Sequence, residues 1–303
     1  MRTGGLGAGL IAVCLWGLAP VATRSLVHEL APLPLLTLRQ LLAAGVLLPW
    51  AVPALRRIDA RDLPRFIVAG LLGMVGYNLP VTVGLQWLPA SSAGLLLATE
   101  PVWVLVIGLV FLGERAGPRV LAGTGIALAG VAVIAGPAAL SPGSGTRAVA
   151  GAALVLLATL AFGGYMIVLR PLSQKYGPVS ATATSSVAGA LPYLALVPLP
   201  GTAWPPRLSP SAGAELLFLA LGSTVAGMLL WNLAVVRGGA GISRLLYLEP
   251  VVSVLGAMVF LGERVTAAVL AGGVLVIAGV VMTGDGVARP RRPAVTADAG
   301  LPR

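Results

Sequence analysis

Charged residues are scarce in this sequence, since Asp, Glu, Lys and Arg make up only 10% of its 303 residues. Soluble domains carry about 25% charged residues, whereas here 57% of residues are hydrophobic and the mean hydropathy is +0.96. A water-soluble fold cannot bury that much apolar surface, so a soluble protein is excluded. Cys14 is the only cysteine, which excludes an internal disulfide, and we expect it to be a small core residue.

Histidine is equally scarce, because His28 is the only one. A zinc site of the H-E-x-x-H type needs two histidines, and the apolar segments contain no pair of aspartates, so neither zinc nor aspartyl protease chemistry can be assembled. The sequence also lacks the G-x-x-x-x-G-K-[ST] motif of ATPases. We therefore predict no enzyme, no cofactor and no metal, with a serine-type membrane-embedded enzyme as a less favoured alternative.

Long apolar runs take the place of charged segments in this sequence. They recur at the length of about 20 residues that an α-helix needs to cross the hydrocarbon core, whereas the strands of a membrane barrel alternate polar and apolar residues over about ten. The runs predict an all-α integral membrane protein with ten transmembrane helices. The predicted spans are residues 6–23, 33–52, 66–85, 92–112, 120–138, 149–169, 179–199, 214–236, 243–261 and 267–283.

The 20 Arg and Lys residues are unevenly distributed over the predicted loops. With the N-terminus in the cytoplasm, 15 of them lie on the cytoplasmic side, and the other side has Arg24, Arg39, Arg147, Arg207 and Arg264. Positive charge accumulates in cytoplasmic loops, so both termini are predicted to be cytoplasmic. Because the basic residues are dispersed among loops, the net charge of +10 does not indicate a nucleic-acid partner. The use of 19 arginines and one lysine favours a GC-rich bacterial genome, and hence the bacterial plasma (inner) membrane.

An internal repeat divides the chain. Residues 100–131 align without gaps with residues 249–280, at an offset of 149, and about half of the aligned positions are identical. The repeat predicts two units of five helices each. Because five is odd, the second unit must enter the membrane from the opposite side, as in the inverted repeats of many secondary transporters. The predicted organisation is a first unit at 1–138, a connector at 139–148, a second unit at 149–284 and a disordered cytoplasmic tail at 285–303.

Short motifs recur at matching places in the two units. Two GER motifs contain Glu114 and Glu263, each after a helix with an internal Glu-Pro, and the first unit also has an early Trp16 and an arginine at Arg39. Together these motifs resemble the EamA-type branch of the drug/metabolite transporter superfamily over nearly the whole chain. Arg39 has Ser185 at the matching place in the second unit, so the two repeats are not equivalent.

The resemblance implies a secondary transporter that moves amino acids, other small metabolites or drugs, usually outward. Transport would proceed by alternating access through a central cavity between the repeats, within the lipid bilayer. An uncoupled facilitator or channel remains an alternative. Glu114 and Glu263 lie at helix ends beside an arginine, where a structural role is favoured.

Glu100 and Glu249 lie eight or nine residues inside their predicted spans, where ionisable groups are expensive and usually face a wet cavity or the bundle interior. Each precedes a proline, Pro101 or Pro250, which removes a backbone donor and kinks a helix. The two glutamates are interpreted either as a carboxylate pair that binds an amine or exchanges a proton, or as neutral partners of the kinks.

Other polar and aromatic residues lie within the predicted spans. Asn78 and Thr82 are four residues apart and share a helix face that could line a cavity or bond another helix. Arg39 is the only basic residue well inside a predicted span, and it either binds a substrate carboxylate or plays a structural part. The aromatic candidates for stacking on a substrate, or for filling the core, are Trp16, Tyr77, Trp103, Tyr165, Trp231 and Tyr247.

Glycines form a ridge on two of the predicted spans. Gly123 and Gly130 on the fifth span recur as Gly272 and Gly279 on the tenth. Small residues at this spacing let helices approach closely. The ridge is typical of packing between the two repeats, or between two copies of the chain in a homodimer.

Overall fold

The computed structural model describes residues 3–111, 117–139, 145–195, 208–238 and 240–284. Within these ranges, all regular secondary structure is helical. The α-helices are α1 (Thr3–Gly17), α2 (Ala19–Leu26), α3 (Pro32–Leu55), α4 (Leu63–Gly70), α5 (Asn78–Gly84), α6 (Ala90–Leu97), α7 (Glu100–Phe111), α8 (Pro118–Ala139), α9 (Gly145–Tyr176), α10 (Pro178–Leu194), α11 (Pro210–Leu217), α12 (Gly227–Gly238), α13 (Glu249–Leu261) and α14 (Ala267–Gly284). Two 3₁₀ segments, Ala60–Asp62 and Ala240–Leu248, and two π segments, Leu71–Tyr77 and Phe218–Ala226, connect or extend them.

Six stretches of helix within the described ranges are long and apolar enough to cross a membrane: Gly5–Leu26, Pro32–Leu55, Ala60–Gly84, Ala90–Phe111, Gly145–Tyr176 and Pro210–Arg237. Three shorter apolar helices follow the same pattern: Pro118–Ile134, Leu245–Leu261 and Ala267–Met282. These nine stretches overlap nine of the predicted spans, and the remaining one, 179–199, corresponds to α10.

The surface of the bundle is apolar. Phe111 is 78% exposed and Val259 is 75% exposed, and large aliphatic side chains are exposed along most of the helices. Soluble proteins rarely present continuous apolar surface on this scale, whereas a lipid environment accepts it. Cys14 lies on this surface as well, so the expectation that it is a core residue was wrong.

The two helices that contain Glu-Pro are both interrupted at that dipeptide. In the first half, α6 ends at Leu97 and α7 begins at Glu100; in the second, the 3₁₀ segment Ala240–Leu248 gives way to α13 at Glu249. Proline cannot donate the hydrogen bond that would continue the preceding turn. The Thr99 hydroxyl donates to the Leu96 carbonyl oxygen at 2.8 Å, which satisfies one of the acceptors at the first interruption.

The two π segments lie at related places, 71–77 in the first half and 218–226 in the second. A π turn is wider than an α turn and is frequently found at functional sites. A side chain donates into each segment, to the carbonyl oxygen five residues earlier: Asn78 Nδ2, directly after the first segment, to Gly73 at 2.9 Å, and Thr224 Oγ1, inside the second, to Leu219 at 2.9 Å. These bonds complete the local backbone and hold the widened turns in place.

Close contacts tie the two halves of the chain together. A methyl group placed on Gly17 of α1 would lie 2.7 Å from the Glu249 carbonyl oxygen and 2.7 Å from the Val252 side chain, both in α13. A methyl group on Gly163 of α9 would lie 3.1 Å from the Val104 nitrogen in α7. The first helix of each half therefore packs against the interrupted Glu-Pro helix of the other half.

The glycine ridge joins two helices of the same chain. A methyl group on Gly130 of α8 would lie 2.6 Å from the Gly272 carbonyl oxygen of α14, and one on Gly279 would lie 2.5 Å from the Gly123 carbonyl oxygen. These backbones touch because neither helix has a side chain at the crossing. The glycine ridge thus packs a helix of the first half of the chain against a helix of the second half.

The two ends of the bundle have different polar networks. At one end, here called the Asp62 end, the Asp62 carboxylate binds Arg65 at 2.9 Å, Lys175 at 2.7 Å and the Tyr176 hydroxyl at 2.7 Å. At the opposite end, here called the Glu263 end, the Glu263 carboxylate accepts from the backbone N–H groups of Ala90 and Ser91. Each network connects segments that are far apart in the sequence.

Candidate functional site

The site is built around Glu100 and Glu249, which start the helices that follow the two interruptions. Glu100 lies ten residues after Ala90, about 15 Å along the helix, which is the depth of the bilayer centre. Both carboxylates are surrounded by protein atoms, yet each side chain keeps an intermediate accessible fraction. This combination is typical of side chains that line an internal cavity.

The two carboxylates and Tyr77 form one electrostatic unit. The Glu100 and Glu249 carboxylates are close enough to interact, and the Tyr77 hydroxyl is within hydrogen-bonding reach of Glu100. Two ionised carboxylates repel each other in a water-poor environment, and a bound cation relieves that repulsion. The structure thus brings together three of the residues that the sequence predicts for the site.

The aromatic residues of the predicted site form two groups of packed rings. Trp16 and Trp231 pack with their ring centroids 5.4 Å apart, and Tyr77 packs against Phe162 at 5.1 Å. Phe162 in turn contacts Tyr165 at 5.5 Å, and Tyr165 is buried. The sequence prediction omitted Phe162, although Phe162-Gly163 aligns with Trp16-Gly17 at an offset of 146, the offset that also relates Arg39 to Ser185 near the start of each unit. That alignment was the signal that could have identified it.

Trp16 has a fixed orientation. Its indole Nε1 donates to the Ser223 carbonyl oxygen in the second π segment at 3.0 Å, and a methyl group on Gly227 would lie 2.6 Å from the same nitrogen. Gly17 places the following backbone against the carbonyl oxygen of Glu249. The N–H group of Trp16 is therefore used by the protein, which leaves the ring face as the part that can contact a ligand.

The remaining predicted site residues occupy several environments. Asn78 is buried and donates to its own π segment, while Tyr247 is half-buried against the main apolar cluster. Thr82 Oγ1 and Trp103 Nε1 are buried, and within the described residues neither has a hydrogen-bond partner. An unpaired buried donor costs free energy, so these two atoms are available to a polar ligand or water.

The prolines differ in exposure. Pro101 is on the exposed side of α7, whereas Pro250 is buried in α13. Glu114, the glutamate of the first GER motif, lies outside the described residues. The structural role that the sequence favours for it stays a prediction.

Arg39 is in α3 and is half-buried. Its Nε and Nη2 atoms lie 3.3 and 3.2 Å from the Thr224 hydroxyl, which is in the second π segment. The guanidinium is also close enough to Tyr77 and Tyr193 to interact with them electrostatically. Arg39 therefore faces the same part of the bundle as the Tyr77 side of the site.

The contacts of the Glu263 carboxylate are those of a helix cap. Its carboxylate accepts from Ala90 N at 2.6 Å, from Ser91 N at 3.0 Å and from the Ser91 hydroxyl at 2.6 Å. It thereby caps the free N–H groups at the start of α6, which is the function of an N-cap side chain, although it is 172 residues away from Ser91. Arg24 donates to the Leu85 carbonyl oxygen and interacts with Glu263, so it stabilises the same end of the bundle.

We expect Glu263→Ala to lower the stability of the folded protein. The change leaves two backbone donors and a hydroxyl without their charged acceptor, at a cost of about 2–4 kcal/mol. Thermal unfolding of the detergent-solubilised protein should show a decrease of several degrees in Tm. Arg264→Ala is the matched control, because Arg264 is the exposed neighbour; equal Tm values for the two variants would contradict the capping role.

Within the described residues, no group of three His, Cys, Asp or Glu side chains is arranged to hold a metal ion. The chemistry that this arrangement can supply is therefore that of two carboxylates, an arginine and aromatic faces. Such a set binds charged and partly apolar small molecules.

The chain is similar to known proteins in family, in sequence and in fold. The model of the family described as "EamA-like transporter family" matches residues 3–136 and again 149–284. The chain is 35% identical over 266 residues to a Streptantibioticus cattleyicolor protein described as "Probable terminal-alkyne amino-acid exporter", covering 86% of this chain and 87% of that one. It is 28% identical over 290 residues to a Salmonella typhimurium protein described as "Probable amino-acid metabolite efflux pump", covering 89% and 91%.

A solved crystal structure aligns with this fold at a TM-score of 0.61, covering 93% of this chain and 96% of its own. The sequence identity is 22%, so the likeness concerns the fold alone.

Proposed function

Because this chain belongs to the EamA-like transporter family, we propose that it is a secondary transporter that exports amino acids or related amine-bearing metabolites. The chain is a multi-pass membrane protein, and its similarity to proteins named as exporters of amino acids or their metabolites supports this cargo. The observation that carries the proposal is the Glu100–Glu249 pair at two interrupted helices. Interrupted helices near the bilayer centre are the usual substrate sites of such carriers.

The proposed mechanism is proton-coupled alternating access. The carboxylate pair would hold an amine in one state and a proton in the other, so that release of one accompanies binding of the other. Nearby aromatic faces would add about 0.5–2 kcal/mol of attraction for a cation. The two states would differ in the bend at the interrupted helices and at the wide π turns, which are frequently found at functional sites.

The proposed architecture has ten spans in two inverted repeats. Contacts at the two ends support it: the connections after predicted spans two and six meet through Asp62 and Lys175, while those after spans three and nine meet through Ala90 and Glu263. Connections that follow even-numbered spans thus contact each other at one end of the bundle, and connections that follow odd-numbered spans contact each other at the other end. The reciprocal packing of α1 on α13 and of α9 on α7 supports the repeat.

Membrane vesicles test the transport activity. Counterflow of labelled amino acids should saturate, and a pH gradient should drive accumulation above equilibrium. An uncoupled facilitator would saturate without accumulating solute. If no amino acid, amine or other labelled metabolite exchanged, the transporter assignment at this site would be wrong.

Orientation can be tested separately in a Cys14→Ala background, with the bacterial plasma membrane as the proposed location. Single cysteines at Ala60 and Gly286 should be protected from impermeant thiol reagents in intact cells, because both are proposed to be cytoplasmic. Cysteines at Gly143 and Pro206 should be labelled. Labelling at Ala60 in intact cells would contradict the ten-span arrangement.

A further inference from the structure

Arg39 is a cation in the interior of the bundle, and among the residues that the structure describes it has no acidic partner within ion-pair distance. It lies seven residues after Pro32, about 10 Å along α3, and the ion pairs of the described residues involve Asp62 instead. Charged groups at membrane depth are normally paired or used in function. A half-buried guanidinium that no described carboxylate pairs is therefore a candidate for binding a ligand.

The only hydrogen-bond acceptor that the described residues offer to Arg39 is the Thr224 hydroxyl. Thr224 donates its own proton to the Leu219 carbonyl oxygen at 2.9 Å, so its oxygen is free to accept from the guanidinium. A guanidinium has five N–H donors, and one hydroxyl oxygen cannot serve them all. The free donors match the two oxygens of a carboxylate, which arginine binds through parallel hydrogen bonds.

A series of contacts connects Arg39 with the helix that begins at Glu249. Arg39 donates to the Thr224 hydroxyl, and the carbonyl oxygen of the preceding residue, Ser223, accepts from Trp16 Nε1. The backbone that follows Trp16 lies against the Glu249 carbonyl oxygen.

Tyr77 is a further neighbour of both groups. It interacts electrostatically with Arg39 and also with Glu100 and Glu249. A solute beside Tyr77 therefore has one positive and two negative side chains in its surroundings.

The fold itself does not require an arginine at this place. The matching position in the second half is Ser185, which is fully buried and donates to the Thr182 carbonyl oxygen at 3.0 Å. The second half thus builds the related helix, α10, without a guanidinium. This asymmetry between the halves is expected of a residue that recognises an asymmetric ligand.

We propose that Arg39 binds the carboxylate of a zwitterionic amino acid whose ammonium group is held by Glu100 and Glu249. This inference rests on the proposed transport function and narrows its substrate class. Thr224 is then a positioning residue that fixes the guanidinium, and Tyr77 is a neighbour of both charged subsites. Amines without a carboxylate bind only one end of the site.

The test uses the purified full-length protein in liposomes and a matched pair of labelled solutes. Each proteinogenic L-amino acid is assayed by counterflow, with phenethylamine as the solute that keeps the amine and ring of phenylalanine but lacks its carboxylate. Arg39→Gln should reduce amino-acid counterflow at least about tenfold, because a charge-assisted pair is lost. Phenethylamine counterflow should be unchanged. Arg39→Lys, which keeps the charge but loses the planar fork, should fall between wild type and Arg39→Gln.

Two further measurements separate binding from folding. Thr224→Val keeps the arginine but removes its acceptor, so it should raise the half-saturating amino-acid concentration without changing phenethylamine flux. Gel filtration and thermal unfolding of every variant show whether the fold is retained.

Each outcome decides the proposal. A parallel loss of amino-acid and phenethylamine counterflow in Arg39→Gln would show that Arg39 has a structural role, and it would overturn the proposal that Arg39 binds the substrate carboxylate. Phenethylamine counterflow in the wild type without exchange of any amino acid would overturn it as well, while leaving the amine site at the glutamates intact. Failure of both solute classes in the wild type would overturn the proposed function together with this inference.

Discussion

Replacing Glu100 or Glu249 with glutamine should abolish the pH dependence of transport in at least one of the two variants while the protein still inserts and folds. Glutamine keeps the volume and the hydrogen-bonding capacity of glutamate but removes the titratable charge. Loss of a charged acceptor of this kind costs about 1.5–3 kcal/mol, which corresponds to an affinity for an amine about 10- to 150-fold lower. The expected phenotype is a large fall in gradient-driven accumulation.

The measurement is solute accumulation in vesicles across a series of imposed pH gradients, with thermal unfolding as the check on the fold. Glu215→Gln is the matched control, since Glu215 is half-buried in the last turn of α11, near Ser25 of α2, and lies outside the proposed site. It should transport with the wild-type pH profile. If Glu100→Gln and Glu249→Gln also both transported with the wild-type pH profile, proton coupling at these residues would be abandoned. The two glutamates would then have only the structural role of accommodating the interrupted helices.

The interruptions themselves could be predicted from the sequence. Glu100-Pro101 and Glu249-Pro250 stand at corresponding places in a repeat, and the missing N–H of proline is a local property that needs no knowledge of the fold. The structure shows both helices interrupted there. Likewise, the apolar runs located the helices because hydropathy over a span is also a local signal.

The hydrogen-bond partners could not be predicted, because they come from distant parts of the chain. Trp16 donates to Ser223, 207 residues away, and Glu263 caps the helix that begins at Ala90, 173 residues away. The sequence indicates that a glutamate at a helix end is structural, but it does not name the helix that is capped. Contacts at such separation are set by how the helices pack.

The π segments were missed for a related reason. The spacing of Asn78 and Thr82 predicts one face of a regular α-helix, which lines a cavity or bonds another helix. In the structure the Asn78 amide donates to Gly73, five residues earlier, in a widened turn. An α-helical period assumes donors that reach back four residues, so it cannot describe this geometry. Side chains on either side of a π turn therefore do not point in the directions that a period of 3.6 residues predicts.

Gly130→Leu should cause the largest loss of folded protein among the substitutions considered. A methyl group alone at Gly130 would lie 2.6 Å from the Gly272 carbonyl oxygen and 2.7 Å from the Val276 nitrogen. Both are backbone atoms, which cannot rotate away as a flexible side chain can. Overpacking of this kind costs about 1–3 kcal/mol for small additions, and leucine adds three more carbons at the same crossing.

Gly125→Leu is the matched control on the same helix. Gly125 is exposed, and a methyl group there would have no atom within 4 Å, so leucine should be tolerated and should replace a poor helix former with a good one. Thermal unfolding and the monodisperse fraction on gel filtration compare the two variants. We expect Gly125→Leu to match the wild type and Gly130→Leu to lose most of its folded fraction. Equal stability of the two variants would mean that α8 and α14 do not cross at Gly130, and the packing between the two halves of the chain would have to be redrawn.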